Sequence, residues 1–440
     1  MKTDRIIRAG STIAGGAIIG ATASTSTVGP IACGLLLIML IASGGIGLLF
    51  ATIMVSSGLS LSFLTGGERS LISGVGGATF DGIRLVLVLG GFAILSVLRP
   101  ALLTHIRYIA LYVVFLGLAA LSILWSPDRA EGMRFLCKLV YPAAAFVLSA
   151  EIASTEGDTP LRKLICWAAV VSVGMNLLVA LAGWSPYVGP GYENRYHGAF
   201  HPNPLGLFSG SCLLMLYAFW LRKRDWRYVA LGLILAIQLV ATGSRTSLIA
   251  VGAGLLTFEI FHRRGRRILV CLLLFIALWT LVPTFGTRTS EPASVTSELA
   301  WAPAGGVVNL SGRLVLWAEA WHLLIGDWAL LGRGLGATEH FIAGRFSSLH
   351  DVHNGYLLIL ADTGVIGLVV VVGWLCGLFA TIWRRKDLPY AGIALALLVM
   401  FALTSITEGT FNVYGLLPTH LMALTGLAIN FTGSEQGAPA

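Results

Sequence analysis

The chain has 440 residues, a length that in a soluble protein would mean about three domains. Composition excludes that. Hydrophobic residues make up 56% of the sequence and charged residues only 11%, whereas a water-facing domain carries about 25% charge; mean hydropathy is +0.83. A membrane-crossing helix takes about 20 apolar residues, so a dozen would use roughly 240 and leave room for loops and one sizeable extramembrane segment. The sequence therefore reads as an all-α, polytopic integral membrane protein with about 12 transmembrane helices. The net charge of +8 does not point to nucleic acid, because the basic residues gather in short runs between apolar segments, as the positive-inside bias predicts. Cys33, Cys137, Cys166, Cys212, Cys271 and Cys376 all fall within apolar stretches without metal-ligand spacing, which argues against a disulfide framework and a zinc site.

In chain order, Met1–Gly10 is basic but precedes no clean cleavage pattern, so no removable signal peptide is expected. Spans are predicted near 31–55, 82–98, 105–124, 133–150, 164–182, 205–221, 228–243, 246–261, 268–284, 355–382, 389–408 and 415–432. Residues 11–28 leave an additional helix open, and 59–81 a partly embedded stretch. The basic runs Arg222–Arg227, His262–Arg267 and Arg384–Lys386 mark the inner side, which also receives both ends of the sequence. Two short apolar runs between the first two basic runs meet at Thr242-Gly243-Ser244-Arg245-Thr246-Ser247, so Arg245 is expected at the outer tip of a helical hairpin. Two outer segments result, 183–204 and about 285–354. The chain thus divides into N-terminal spans (1–284), a large outer loop between the ninth and tenth spans (285–354), and C-terminal spans with a tail (355–440). Within the loop, Leu314, Trp317, Trp321, Leu324 and Trp328 recur at helical steps, predicting an amphipathic helix that either lies on the membrane surface or caps the bundle.

The outer segments and the hairpin tip carry Arg195, Arg245, Arg288, Arg313, Arg333 and Arg345, which topology does not require. A guanidinium holds phosphate oxygens with two hydrogen bonds, and several converging would suit a pyrophosphate. A lone one is more commonly a salt bridge or a headgroup contact, so the argument rests on the group. His350-Asp351-Val352-His353-Asn354-Gly355-Tyr356 runs directly into a span. His353 sits where the loop enters the membrane and is suited to take a proton from a sugar hydroxyl, with His350 and Asp351 orienting it or serving as cap residues. A metal site on His350 and His353 lacks an evident third ligand. Lys138, Glu259 and Asp362 are the main charges within spans, and Glu259 is expected to pair with the inner arginines.

Ser311-Gly312-Arg313-Leu314-Val315-Leu316-Trp317, Leu331-Gly332-Arg333-Gly334-Leu335-Gly336 and His353-Asn354-Gly355-Tyr356-Leu357, followed by Asp362, Gly364 and Gly367, resemble the signature of the O-antigen ligase and polymerase superfamily of bacterial membrane glycosyltransferases. The Thr242–Thr246 turn, Gly198-Ala199-Phe200-His201-Pro202-Asn203 and Trp125-Ser126-Pro127 are in keeping with it, so about half the chain is covered. Asp362 departs from the Glu more common there. The resemblance implies transfer of a saccharide from undecaprenyl diphosphate to an acceptor hydroxyl at the periplasmic face of the bacterial inner membrane, without metal, other cofactor or nucleotide sugar. It implies His353 as base, with Arg195, Arg245 and Arg313 stabilising the departing diphosphate. Asn354, Tyr356, Asn203, His350, Arg333 and Asp362 become candidate substrate-binding residues. The acceptor would be another lipid-linked unit in a polymerase or lipid A-core in a ligase. The His-Asn-Gly-Tyr-Leu form and the Ser-Arg-Thr turn look slightly more like an O-antigen or exopolysaccharide polymerase. A lipid-linked sugar transporter is the alternative of another class. It would need charges along a crossing path and an inverted repeat, and neither is visible.

Overall fold

The computed structural model describes residues 46–57, 90–183, 196–198, 201–268, 313–322, 328–345, 352–411 and 416–431. These fold as helices joined by short turns. The helices are α1 (Ile46–Ser57), a 3-10 segment Pro100–Ile109 leading into α2 (Ala110–Ser122), α3 (Arg129–Thr155), α4 (Asp158–Leu181), α5 (Pro202–Lys223), α6 (Trp226–Ala241), α7 (Arg245–Phe261), α8 (Arg313–Ala320), α9 (Ala337–Arg345), α10 (Gly355–Arg384), α11 (Ala391–Thr407) and α12 (Leu416–Asn430). Five are long and apolar enough to cross a membrane among the described residues: Pro100–Trp125 taken as one, α3, α4, α5 and α10; α6 and α11 are shorter apolar helices. Parts of the spans expected at 31–55 and 82–98, and nearly all of 268–284, lie outside the described residues. The same holds for most of the outer loop, so the expected 12 spans and the loop boundaries remain expectations.

Short polar side chains set the helix starts. Asp128 accepts from the Glu131 N–H, Ser244 from that of Ser247 and Asn354 from that of Leu357, each satisfying a donor that the first turn leaves orphaned. Small residues let helices approach closely. A Cβ added to Gly426 of α12 would lie 2.6 Å from the carbonyl oxygen of Phe146 on α3, a contact of the kind that holds membrane helices together in place of the hydrophobic effect.

One end of the bundle collects the basic runs. Arg222 and Arg162 lie 3.2 and 3.3 Å from the buried carboxylate of Asp158, to which the Tyr390 hydroxyl also donates. Glu259, buried, accepts from Tyr217 at 2.5 Å and lies 3.9 Å from Arg264, the pairing expected from sequence. Asn203 and Arg222 lie near opposite ends of the 22-residue α5, about 30 Å long at the helical rise. Whatever surrounds Asn203 is therefore at the far end from the basic runs.

Helix α10 is broken. Its 30 residues would extend about 45 Å, more than the roughly 30 Å of a hydrocarbon core. The break falls at Gly364 (φ 70°, ψ −173°), leaving 365–384 long enough to cross alone and 355–363 as a separate stub. In an unbroken helix the Val365 N–H would donate to Ala361 and the Ile366 N–H to Asp362. Here they donate instead to the carbonyls of Ala329 and Leu330, while the Ala361 and Asp362 carbonyls accept from Arg333 and Gly334. The segment 329–334 is thus inserted into two helical hydrogen bonds, and the break leaves none of these four groups unpaired. Side chains would not fit: a Cβ on Gly332 would stand 2.5 Å from the Asp362 carbonyl, and one on Gly364 2.2 Å from that of Leu330.

Candidate active site

At the end of the bundle opposite the basic runs lies a carboxylate that motif reasoning missed. Glu408 follows the last residue of α11 in an extended conformation, and its N–H still caps the helix through Thr404. It is 6% exposed. Its Oε1 accepts from Arg313 Nη2 and from Asn203 Nδ2, each at 3.0 Å, and its Oε2 lies 3.6 Å from His353 Nδ1. Arg313 also donates to the Thr407 carbonyl. One carboxyl therefore joins the start of α8, the start of α5 and the start of α10. Burial pushes Glu408 up, but the contact with His353 and the charge of Arg313 outweigh it and hold the group below the ordinary carboxylate range.

A carboxylate beside Nδ1 favours the proton on that nitrogen and so puts the basic lone pair on Nε2, the arrangement a general base requires. His353 itself is a third exposed. Its φ of 48° lies in the left-handed region, a strained conformation for a side-chain-bearing residue. The strain is held on both sides: Trp317 Nε1 donates to the Val352 carbonyl at 2.9 Å, and Asn354 caps α10.

Because its folded value is lowered, Glu408 contributes stability that is complete above the ordinary value of 4.5 and lost as pH falls through the lower one. Wild-type protein is expected to lose melting temperature on acidification from pH 6 to pH 3.5, with the advantage over Glu408→Gln shrinking across that range. Parallel curves for the two proteins would refute it.

Arg245 is the first residue of α7, exposed, and makes no hydrogen bond or ion pair among the described residues. The turn that carries it is firmly placed. Ser244 and Ser247 bond each other at 2.7 Å, and Ser247 donates to the Asn203 carbonyl at 3.2 Å. The hairpin tip thus meets the residue that contacts Glu408. Arg195, Arg288 and His350 lie outside the described residues.

Other expected substrate contacts also have partners within the protein. Asn354 Oδ1 accepts from the Leu357 N–H in the helix cap, and the Tyr356 hydroxyl donates to the Ala402 carbonyl at 3.1 Å. The Arg333 guanidinium lies 5.3 Å over the Phe341 ring. Asp362 is the most enclosed of them. It is fully buried, with Oδ2 accepting from the Gly336 N–H at 3.0 Å and Oδ1 from the Thr338 N–H and hydroxyl at 3.0 and 2.6 Å. Positive φ at Gly332, Gly334 and Gly336 curls the glycine-rich stretch so that the Gly336 N–H, followed by Thr338 in the first turn of α9, faces the Asp362 carboxylate.

The tryptophan stripe divides between its two readings. Among the described residues helix α8 covers Arg313–Ala320; Trp317 turns inward to bond Val352, whereas Trp321 and Trp328 are 54% and 43% exposed. Leu324 lies outside the described residues.

Residues 229–372 match the family model described as O-antigen ligase. That stretch contains Arg245, Arg313, Arg333, His353 and Asp362 but neither Asn203 nor Glu408. The chain is also 27% identical over 326 residues to the O-antigen ligase of Pseudomonas aeruginosa, covering 71% of this chain and 75% of that protein. Both descriptions name a ligase, so the leaning of the sequence toward a polymerase gives way to the ligase alternative. These matches make the chain similar to O-antigen ligases over the stretches named, and its long apolar helices agree with a multi-pass membrane protein of that kind.

Proposed function

We propose that the chain is a ligase that transfers a glycan from a polyprenyl diphosphate, undecaprenyl diphosphate, to a hydroxyl of lipid A-core at the periplasmic face. The observation that carries this reading is the bridge at Glu408, which brings a guanidinium and a half-open imidazole to one carboxylate. In this mechanism His353 Nε2 removes the proton from the acceptor hydroxyl as its oxygen bonds to the anomeric carbon. The anomeric C–O bond breaks, and its electron pair leaves with the lipid diphosphate. Arg245 and Arg313, joined by Arg195, stabilise the charge that builds there. Glu408 and Thr407 hold one edge of the Arg313 fork, so its remaining N–H groups are preorganised at little entropic cost. Asn203, His350 and Arg333 complete the substrate-binding set. No metal or other cofactor enters the reaction.

Arg245 provides a sharp check, because it is exposed and makes no contact that stabilises the fold among the described residues. Arg245→Ala is expected to leave the melting temperature within about 1 °C, since exposed substitutions stay near 0.5 kcal/mol. Transfer is expected to fall by about 10²–10³-fold, the cost of one preorganised donor. Equal rates in mutant and wild type would remove Arg245 from the mechanism.

The acceptor is tested with purified protein, a lipid-diphosphate oligosaccharide and lipid A-core, followed by product sizing. The ligase reading predicts glycan on lipid A-core and no product when that acceptor is left out. Longer lipid-linked chains formed without it would identify a polymerase. Passage of donor across a sealed vesicle without bond formation would identify a transporter.

A further inference from the structure

We infer that Asp362 is a positioning residue for the transfer reaction, acting on His353 through the broken helix; the inference rests on the proposed role of His353. The stub 355–363 follows directly on His353 and Asn354, and its only covalent continuation is Gly364, where the helical hydrogen bonds have been exchanged for bonds to 329–334. A free break of this kind would swivel. Three donors on one carboxylate, from Gly336 and Thr338, tie the stub to the inserted loop. The loop is in turn tied to the end of α2. Trp125 Nε1 donates to the Gly332 carbonyl at 3.1 Å, Ser126 Oγ to that of Leu335 at 2.8 Å, and the Leu335 N–H to Ser122 Oγ at 3.1 Å. At the other end of the stub, Gly355 packs against Thr410 and Phe411, which follow Glu408 closely in the chain. The angle at Gly364 therefore sets where the imidazole stands relative to Glu408. Asp362 fixes that angle from about nine residues away without touching substrate.

The test compares wild type with Asp362→Asn, which turns an amide donor toward a backbone N–H, and with Thr338→Val, which removes only the hydroxyl donor. In the transfer assay Asp362→Asn is expected to lower kcat by about 10–10²-fold, the scale of a misplacement near 1 Å, with KM for the lipid-linked donor within twofold. Thr338→Val lowers kcat severalfold and Thr338→Ser restores it. The ring ¹⁵N resonances of His353, assigned against His353→Ala, move in Asp362→Asn and Thr338→Val and return in Thr338→Ser. Wild-type kcat in both variants, a raised KM at unchanged kcat, or unmoved His353 resonances would each overturn the inference. Should wild type form no product, the proposed function falls and the resonances still decide the positioning role.

Discussion

Replacing His353 with alanine is expected to lower transfer by about 10²–10⁴-fold, the range supplied by a positioned general base, while the protein remains in the membrane at wild-type levels. Loss of activity alone would not separate chemistry from folding, because alanine at φ 48° inherits the backbone strain of the histidine, a cost on the order of 1–3 kcal/mol. His353→Gly makes the distinction. Glycine adopts that conformation freely, so the backbone relaxes while the imidazole is absent. Both variants are expected to be equally inactive, with the glycine protein melting at the higher temperature. Measurable transfer near the wild-type rate in either would withdraw the base assignment.

The second large effect is expected at Glu408. Alanine there leaves Arg313 partly buried without its carboxylate and strips Asn203 and His353 of their shared contact, and removing one partner of a buried pair costs about 3–5 kcal/mol. Much of the Glu408→Ala protein should therefore fail to accumulate. Glu408→Gln is the informative variant. An amide keeps the shape and one acceptor but no longer favours a proton on His353 Nδ1, and an imidazole that loses such a carboxylate forfeits up to about 10⁴ in rate. Thermal unfolding in detergent together with the transfer rate checks both parts. A Glu408→Gln enzyme as fast as wild type would reduce this carboxylate to a fold element.

Much of the architecture is legible in the sequence, because apolar segments, basic runs and short polar caps act locally. Ser244, Asn354 and Asp128 cap where a helix-start pattern says they should. His353 and Arg313 stand out as polar residues that topology does not demand. Glu408 does not, since it lies one residue beyond an apolar helix and reads as an ordinary end. Its partners are 95 and 205 residues away in Arg313 and Asn203, a separation no local periodicity encodes. A signal was present all the same: between Asp387 and Glu435, Glu408 is the one acidic or basic residue apart from His420. Asp362 presents the opposite case. Read within a continuous span it stands out as an intramembrane charge, but its partners do not: Gly364 breaks the helix two residues later and the carboxylate accepts from Gly336 and Thr338. Only the insertion of a segment some 30 residues upstream explains it.

Glu408 is proposed to act on the reaction through His353, and a double-mutant cycle of the two residues is the sharpest test of that coupling. Transfer rates are compared for wild type, His353→Ala, Glu408→Gln and the double variant in the same lipid. The double variant is expected to be no slower than the worse single one, because each change disables the same imidazole. Losses that multiply would show that the two residues contribute independently and that Glu408 does not work through His353.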